Sequence, residues 1–274
     1  MEVFTSTFNS AAGRSGLFPP ESSKVFLLFG SPAVIGACLW KLGWLPVPLA
    51  QVGGLVVLHG GLLALALFYP LGWSRQWARA VLPALASLLA GGVLSLLGPW
   101  WGWSLITLPV WLGFLSTREP AIRTLGLRLP HERWMLPAGA AIGGLLGVHL
   151  LVAASRALGY RVALFPLGPV LANLSYDLGV NLVTAELLFR GALFGDWWRR
   201  YGFWPAAVLS TSFSVLRYLI DPRLPGQLDA LAGASFYLFL LGIAGCMLVR
   251  LSGSLFPSAL ASLFFFAAYR LFRQ

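Results

Sequence analysis

Met135 to Ser155 read MLPAGAAIGGLLGVHLLVAAS, twenty-one residues without one Asp, Glu, Lys or Arg. Wound as an α-helix at about 1.5 Å per residue, this stretch is ~30 Å long, the thickness of a bilayer's hydrocarbon core. Runs of the same character recur along the chain. Bounded by charges or by Pro and Gly clusters, they place helices near 25–44, 51–70, 79–97, 102–116, 135–155, 169–190, 203–220, 231–249 and 254–272. The first contains Pro32 and Lys41 and the fourth is short, so the expected count is eight or nine spans. Alternation at period two, the mark of a transmembrane β-barrel, is absent.

Composition agrees with this reading. Of the 274 residues 58% are hydrophobic and 10% charged, where soluble domains carry about 25% charge. A soluble globular domain and a disordered chain are both excluded. The expected class is therefore all-α, a polytopic transmembrane helical bundle whose first partner is the lipid bilayer. The formal charge of +10 comes from basic residues standing singly or in pairs between apolar runs. That pattern fits retention of basic loops on the cytoplasmic side and gives no ground for nucleic-acid binding. With nine spans and a cytoplasmic N-terminus, eleven basic residues from Arg14 to Arg250 fall inside and five, Arg156 to Arg273, outside. The expected location is an integral membrane position in a bacterial inner (plasma) membrane. Met1 to Ser23 lack the pattern of a cleavable signal peptide.

Three regions follow: N-terminal helices over 1–116, a polar cytoplasmic loop over 117–134, and a helical core over 135–274. The loop carries four Arg, two Glu, Pro120 and Pro130 between Ser116 and Trp134, and it is expected to be too polar for burial. Gly139, Gly143, Gly144 and Gly147 are the small residues that close helix packing in lipid uses. Cys38 and Cys246 are far apart within apolar runs and are read as small core residues, not as a disulfide or metal pair. Trp100, Trp101 and Trp103, and the pair Trp197 and Trp198, suit interfacial anchoring.

An ionisable group inside a span needs a partner or a purpose. His59, His149, Asp177, Glu186, Arg190 and Arg217 are such groups. Glu186 and Arg190 share a helix face at i,i+4 and are expected to pair, with Arg217 of the next span as a further partner of Glu186. Asn173, Asp177, Asn181 and Thr184 form a second stripe pointing away from Glu186, suited to hydrogen bonds between helices or to lining a polar cavity. His59 and His149 have no ligand at i+3 or i+4. They read as hydrogen-bonded core histidines, so neither a metal nor a cofactor is expected.

The run Ala185-Glu186-Leu187-Leu188-Phe189-Arg190-Gly191 resembles the Glu-Glu-x-x-x-Arg-Gly motif of the CAAX-protease and bacteriocin-processing (CPBP) membrane proteins. Ser212 to Arg217 is similar to the family's Phe-x-x-x-His motif, and Gly253 to Ser262 to its Gly-Ser-Leu-x-Pro-x-x-x-x-His segment. With the opening Leu125-Gly126-Leu127-Arg128, the resemblance covers about residues 120 to 270. In active members of that family, paired glutamates and two histidines are thought to activate a water for peptide hydrolysis, with an asparagine assisting. Here Ala185 stands at the first glutamate position, Arg217 and Ser262 at the histidine positions, and Phe266 where the asparagine is sought. Glu186 and Arg190 remain. Flanked by guanidinium groups, Glu186 would be held ionised and weakened as a base, and Arg cannot replace His in proton transfer.

The resemblance thus implies a degenerate member that has lost peptidase activity and serves as a binding or assembly subunit with a membrane-protein partner. One alternative is a divergent endopeptidase acting on membrane-associated or prenylated peptides with groups recruited from elsewhere, such as His149 or Asp177. Another is a small-molecule transporter using the Asn173 to Thr184 stripe.

Overall fold

The computed structural model describes residues 17–19, 21–98, 104–159, 161–162, 167–219, 228–269 and 272–273. It is a helical bundle. Its elements are α1 (Ser22–Lys41), α2 (Val47–Leu71), α3 (Arg75–Ser95), α4 (Thr107–Arg118), the single turn α5 (Pro120–Arg123), α6 (Met135–Leu158), α7 (167–201), α8 (Phe203–Leu219), α9 (Leu228–Ser252) and α10 (Phe256–Tyr269). Two two-residue strands, β1 (Arg161–Val162) and β2 (Phe272–Arg273), pair antiparallel.

Among the described residues, six helices are long and apolar enough to cross a membrane: α1, α2, α3, α6, α7 and α9. The expected spans at 102–116, 203–220 and 254–272 are realised as the shorter helices α4, α8 and α10. Local sequence explains several of the ends. Ser74 caps α3 by accepting from the Trp77 amide at 3.2 Å, a cap that contributes about 1 kcal/mol. Gly159 closes α6 in the left-handed region at φ +67, where a Cβ would be strained.

The centre of the bundle is α7. Of its apolar window 89% is buried, against 11% for α1 on the outside. It is not a uniform α-helix: 177–181 and 186–193 are π-helical, a wider winding that inserts extra residues and often marks functional positions. One continuous hydrophobic core joins N-terminal residues such as Leu63, Leu67 and Leu88 to Leu187, Phe194 and Trp197 of α7. Trp197 is fully buried, and its indole donates to the Leu17 carbonyl at 2.7 Å. The anchoring role expected of Trp197 is corrected accordingly, because its ring fills the core beside Phe18 and Phe213. Trp100, Trp101 and Trp103 lie outside the described residues. Cys246 is buried as expected, whereas Cys38 is exposed on α1.

Two packing devices position the C-terminal helices. On α6, Gly139, Gly143 and Gly147 recur every fourth residue and face α10. A Cβ at Gly139 or Gly143 would collide with the carbonyl of Pro257 or Ala261, and one at Gly147 would lie 2.6 Å from the Ala268 Cβ. The fourth glycine, Gly144, meets nothing within 4 Å.

The second device corrects the free polar loop. Ile122 and Leu125 are buried in the core. Arg123 donates to the carbonyls of Ser116 and Thr117 at 2.7 and 2.9 Å, satisfying the carbonyl end of α4. Gly126, at φ +84, accepts from the Leu255 amide at 3.0 Å. Arg128 Nε donates to the Gly253 carbonyl at 3.1 Å, and Ser254 Oγ donates to the Arg128 carbonyl at 2.6 Å. The segment 125–128 is thereby fastened to the segment that opens α10.

Candidate functional site

Glu186 lies on the buried face of α7, 4% exposed. Its two carboxylate oxygens each accept a hydroxyl from α10: Ser258 Oγ donates to Oε2 at 2.6 Å and Ser262 Oγ to Oε1 at 2.8 Å. The serines are four residues apart and so share one helix face. The α6 glycines bring α10 near enough for both to reach. Hydrogen bonds to an ionised group are short and about twice as strong as neutral ones, so the pair clamps the carboxylate.

Arg190, 5% exposed, does not complete the expected ion pair. Its Nη1 donates to Ser214 Oγ of α8 at 2.7 Å, and Nε has no hydrogen-bond partner among the described residues. The ion pairs among the described residues are Glu21 with Lys24, and Asp196 with Arg199 and Arg200. Gly242 and Gly245 of α9 explain the guanidinium's place. A Cβ at Gly242 would lie 2.9 Å from Arg190 Nη2 and collide with Thr211, and one at Gly245 would lie 2.5 Å from Ser258 Oγ. Absent side chains on α9 therefore make the space that Arg190 and Ser258 occupy.

Arg217 is not brought into this cluster. It is half-buried near the end of α8, its guanidinium 4.5 Å from the Tyr218 ring centroid, a cation–π contact. The expected Glu186–Arg217 pairing is corrected for the reason its position suggests: one turn from the span end, the long side chain finds an aromatic face without burying its charge beside α7. Ser262 is at the centre of the cluster. Phe266, one turn along α10, packs its ring 5.4 Å from Tyr218.

Between these groups is a small, largely enclosed cavity lined by Glu186, Arg190, Ser214, Tyr218, Ser262 and Phe266, among others. It offers about 10 Å³ to the centre of a water-sized sphere, close to the ~10–15 Å³ that one water needs. A peptide does not fit. The donor set does not suit a divalent cation either: one carboxylate and two hydroxyls sit beside a guanidinium. Among the described residues no group of three or more His, Cys, Asp and Glu side chains is placed to hold a metal.

The remaining candidates are separate from this cluster. His59 bridges Thr184 Oγ1 at 2.9 Å and the Tyr176 hydroxyl at 2.8 Å, tying α2 to α7. Asn181 donates to Asp177 at 3.0 Å within α7. The stripe therefore makes internal hydrogen bonds, apart from Asn173, which is exposed. His149 bonds the Tyr237 hydroxyl across α6 and α9. The sequence reading missed Ser258, Ser214, Tyr218, Gly242 and Gly245. A signal was present in the i,i+4 spacing of Ser258 and Ser262 and in the three-residue spacing of the two glycines.

The fold and this cluster define a polytopic helical membrane protein built around a buried, hydroxyl-clamped glutamate. Comparison with protein families matches residues 166–265 to the type II CAAX prenyl endopeptidase Rce1-like family. This part of the chain, little more than a third of its length, is similar to that family, as its motifs imply. The match does not include Leu125 to Arg128, which are nonetheless fastened to the closing motif at Gly253 and Ser254. No curated protein and no solved structure matches the chain.

Proposed function

We propose that this Rce1-like membrane protein has exchanged peptide hydrolysis for a structural role and serves as a binding or assembly subunit of a membrane complex. The observation that carries this reading is the clamp on Glu186. Serine at the second histidine position donates to the carboxylate, and Ser258 occupies its other oxygen. A general base must be free to take a proton from a water it touches. Here both oxygens already accept hydrogen bonds, the nearest cation is an arginine that exchanges no proton, and no imidazole is among the residues lining the cavity. The excess of basic residues on one set of loops supports a cytoplasmic N-terminus.

The test is direct. The full chain, reconstituted in vesicles, is presented with farnesylated peptides and with single-span membrane peptides. No cleavage is expected from either the wild type or Glu186→Gln, and a stoichiometric membrane-protein partner is expected to co-purify from the native membrane. Cleavage that Glu186→Gln abolishes would overturn the proposal.

A second reading has one observation in its favour. Glu186, Arg190 and Ser262 converge on a cavity the size of one water, as a divergent endopeptidase would require. Such an enzyme needs the cavity to open for its substrate, so loss of cleavage in Glu186→Gln with unchanged thermal stability would favour it.

A further inference from the structure

A groove that shares no lining residue with this cluster runs between α3 and α4, with a volume of about 660 Å³, within the ~300–1,000 Å³ range of ligand sites. Its walls are Pro83 and Ser87 of α3, Ile106 immediately before α4, and Thr107, Val110, Trp111 and Phe114 of α4. The two helices run antiparallel. A Cβ at Gly91 would meet Leu105 and Ser104, whereas Pro83, two turns earlier on α3, lines the groove with Phe114, further along α4.

Extending that register by one turn puts Arg79, four residues before Pro83, and Arg118, four residues after Phe114, at the same end. Both are exposed. Arg118 lies with its guanidinium 4.5 Å from the Phe114 ring centroid, and neither arginine forms an ion pair among the described residues. The sequence adds to the asymmetry, because no Asp or Glu occurs between Glu21 and Glu119. An apolar slot of this length ending in two unpaired guanidinium groups is complementary to an amphiphile with an anionic head.

We infer that the α3–α4 groove is a binding site for one anionic phospholipid, its acyl chain along Pro83, Val110 and Trp111 and its phosphate between Arg79 and Arg118. This inference is independent of the proposed role of Glu186. Basic residues at a membrane surface each contribute roughly tenfold or less in affinity for anionic lipid, about 1 kcal/mol apiece.

The full chain is purified from nanodiscs of mixed phosphatidylglycerol and phosphatidylcholine, and retained lipid is read by native mass spectrometry. The wild type is expected to retain one phosphatidylglycerol in preference to phosphatidylcholine. The double variant Arg79→Gln/Arg118→Gln is expected to lower that preference about thirtyfold. Val110→Trp, which fills the slot, is expected to lower retention of both lipids while remaining folded by circular dichroism. Arg156→Gln, at the end of α6 and outside the groove, is expected to change nothing. Equal retention of the two lipids by the wild type would overturn the inference, as would an equal loss in Arg156→Gln or no loss in the double variant. A crosslink from Cys substituted at Val110 to a protein helix would overturn it also, because that outcome assigns the slot to a partner.

Discussion

Replacing Ser262 with Ala tests the clamp on Glu186 most sharply. The substitution removes one 2.8 Å hydrogen bond and leaves the carboxylate with Ser258 alone, in a place that is 4% exposed. A hydrogen bond to a charged group contributes about 1.5–3 kcal/mol, and an unsatisfied buried acceptor lies at the upper end of that range. The expected loss for Ser262→Ala is therefore about 2–3 kcal/mol. Glu186→Gln should cost less, about 1 kcal/mol, because the amide oxygen still accepts one hydroxyl while its NH2 donates to the other. The decisive quantity is the coupling. In a double-mutant cycle with Glu186→Leu, which accepts nothing, Ser262→Ala should lose most of its effect, giving an interaction energy of at least about 1 kcal/mol. Reversible unfolding in mixed micelles, followed by tryptophan fluorescence, provides the four stabilities. Additivity within ~0.3 kcal/mol would refute the reasoning, since it would mean that α10 is held in place without the carboxylate.

Two further predictions rest on the same geometry. Gly143→Ala places a methyl group into the Ala261 carbonyl and should destabilise by at least the ~1–3 kcal/mol typical of overpacking, whereas Gly144→Ala, with open space around it, should be neutral or stabilising by up to about 1 kcal/mol; thermal melts in detergent distinguish them. Arg190→Met removes the guanidinium's hydrogen bond to Ser214 and should cost about 1.5–3 kcal/mol. Arg217→Leu forfeits only the contact with Tyr218, at most about 1 kcal/mol, and equal losses from the two in the same unfolding assay would contradict the separation of their environments.

What the chain discloses before folding is uneven, for reasons visible at single positions. Helices such as α6 are legible because lipid demands uninterrupted apolar residues and internally satisfied backbone groups. His59 and His149 were legible as hydrogen-bonded residues because neither has a second ligand within a turn. The partnership of Glu186 was not. An i,i+4 spacing establishes a shared face, but the choice between Arg190 and two hydroxyls depends on how closely α10 approaches. That approach is set by glycines 39 to 47 residues earlier in the chain. Arg190, likewise, goes to Ser214 because Gly242 and Gly245 leave room on α9. The stretch 117–134 misled for a different reason: two of its four arginines, Arg123 and Arg128, donate to carbonyls of neighbouring segments, so a charged composition coexists with buried Ile122 and Leu125.

The clamp also sets a timetable for biosynthesis. Glu186 precedes its two hydroxyl donors by 72 and 76 residues, which at about 5–20 residues per second is an interval of ~4–15 s on the ribosome. Throughout that interval the nascent bundle carries an acid whose final donors have not been made. The later helix α10 is thus the one that completes its hydrogen bonding, and a ribosome that stalls before Ser258 leaves behind a chain whose buried acid lacks both of these donors.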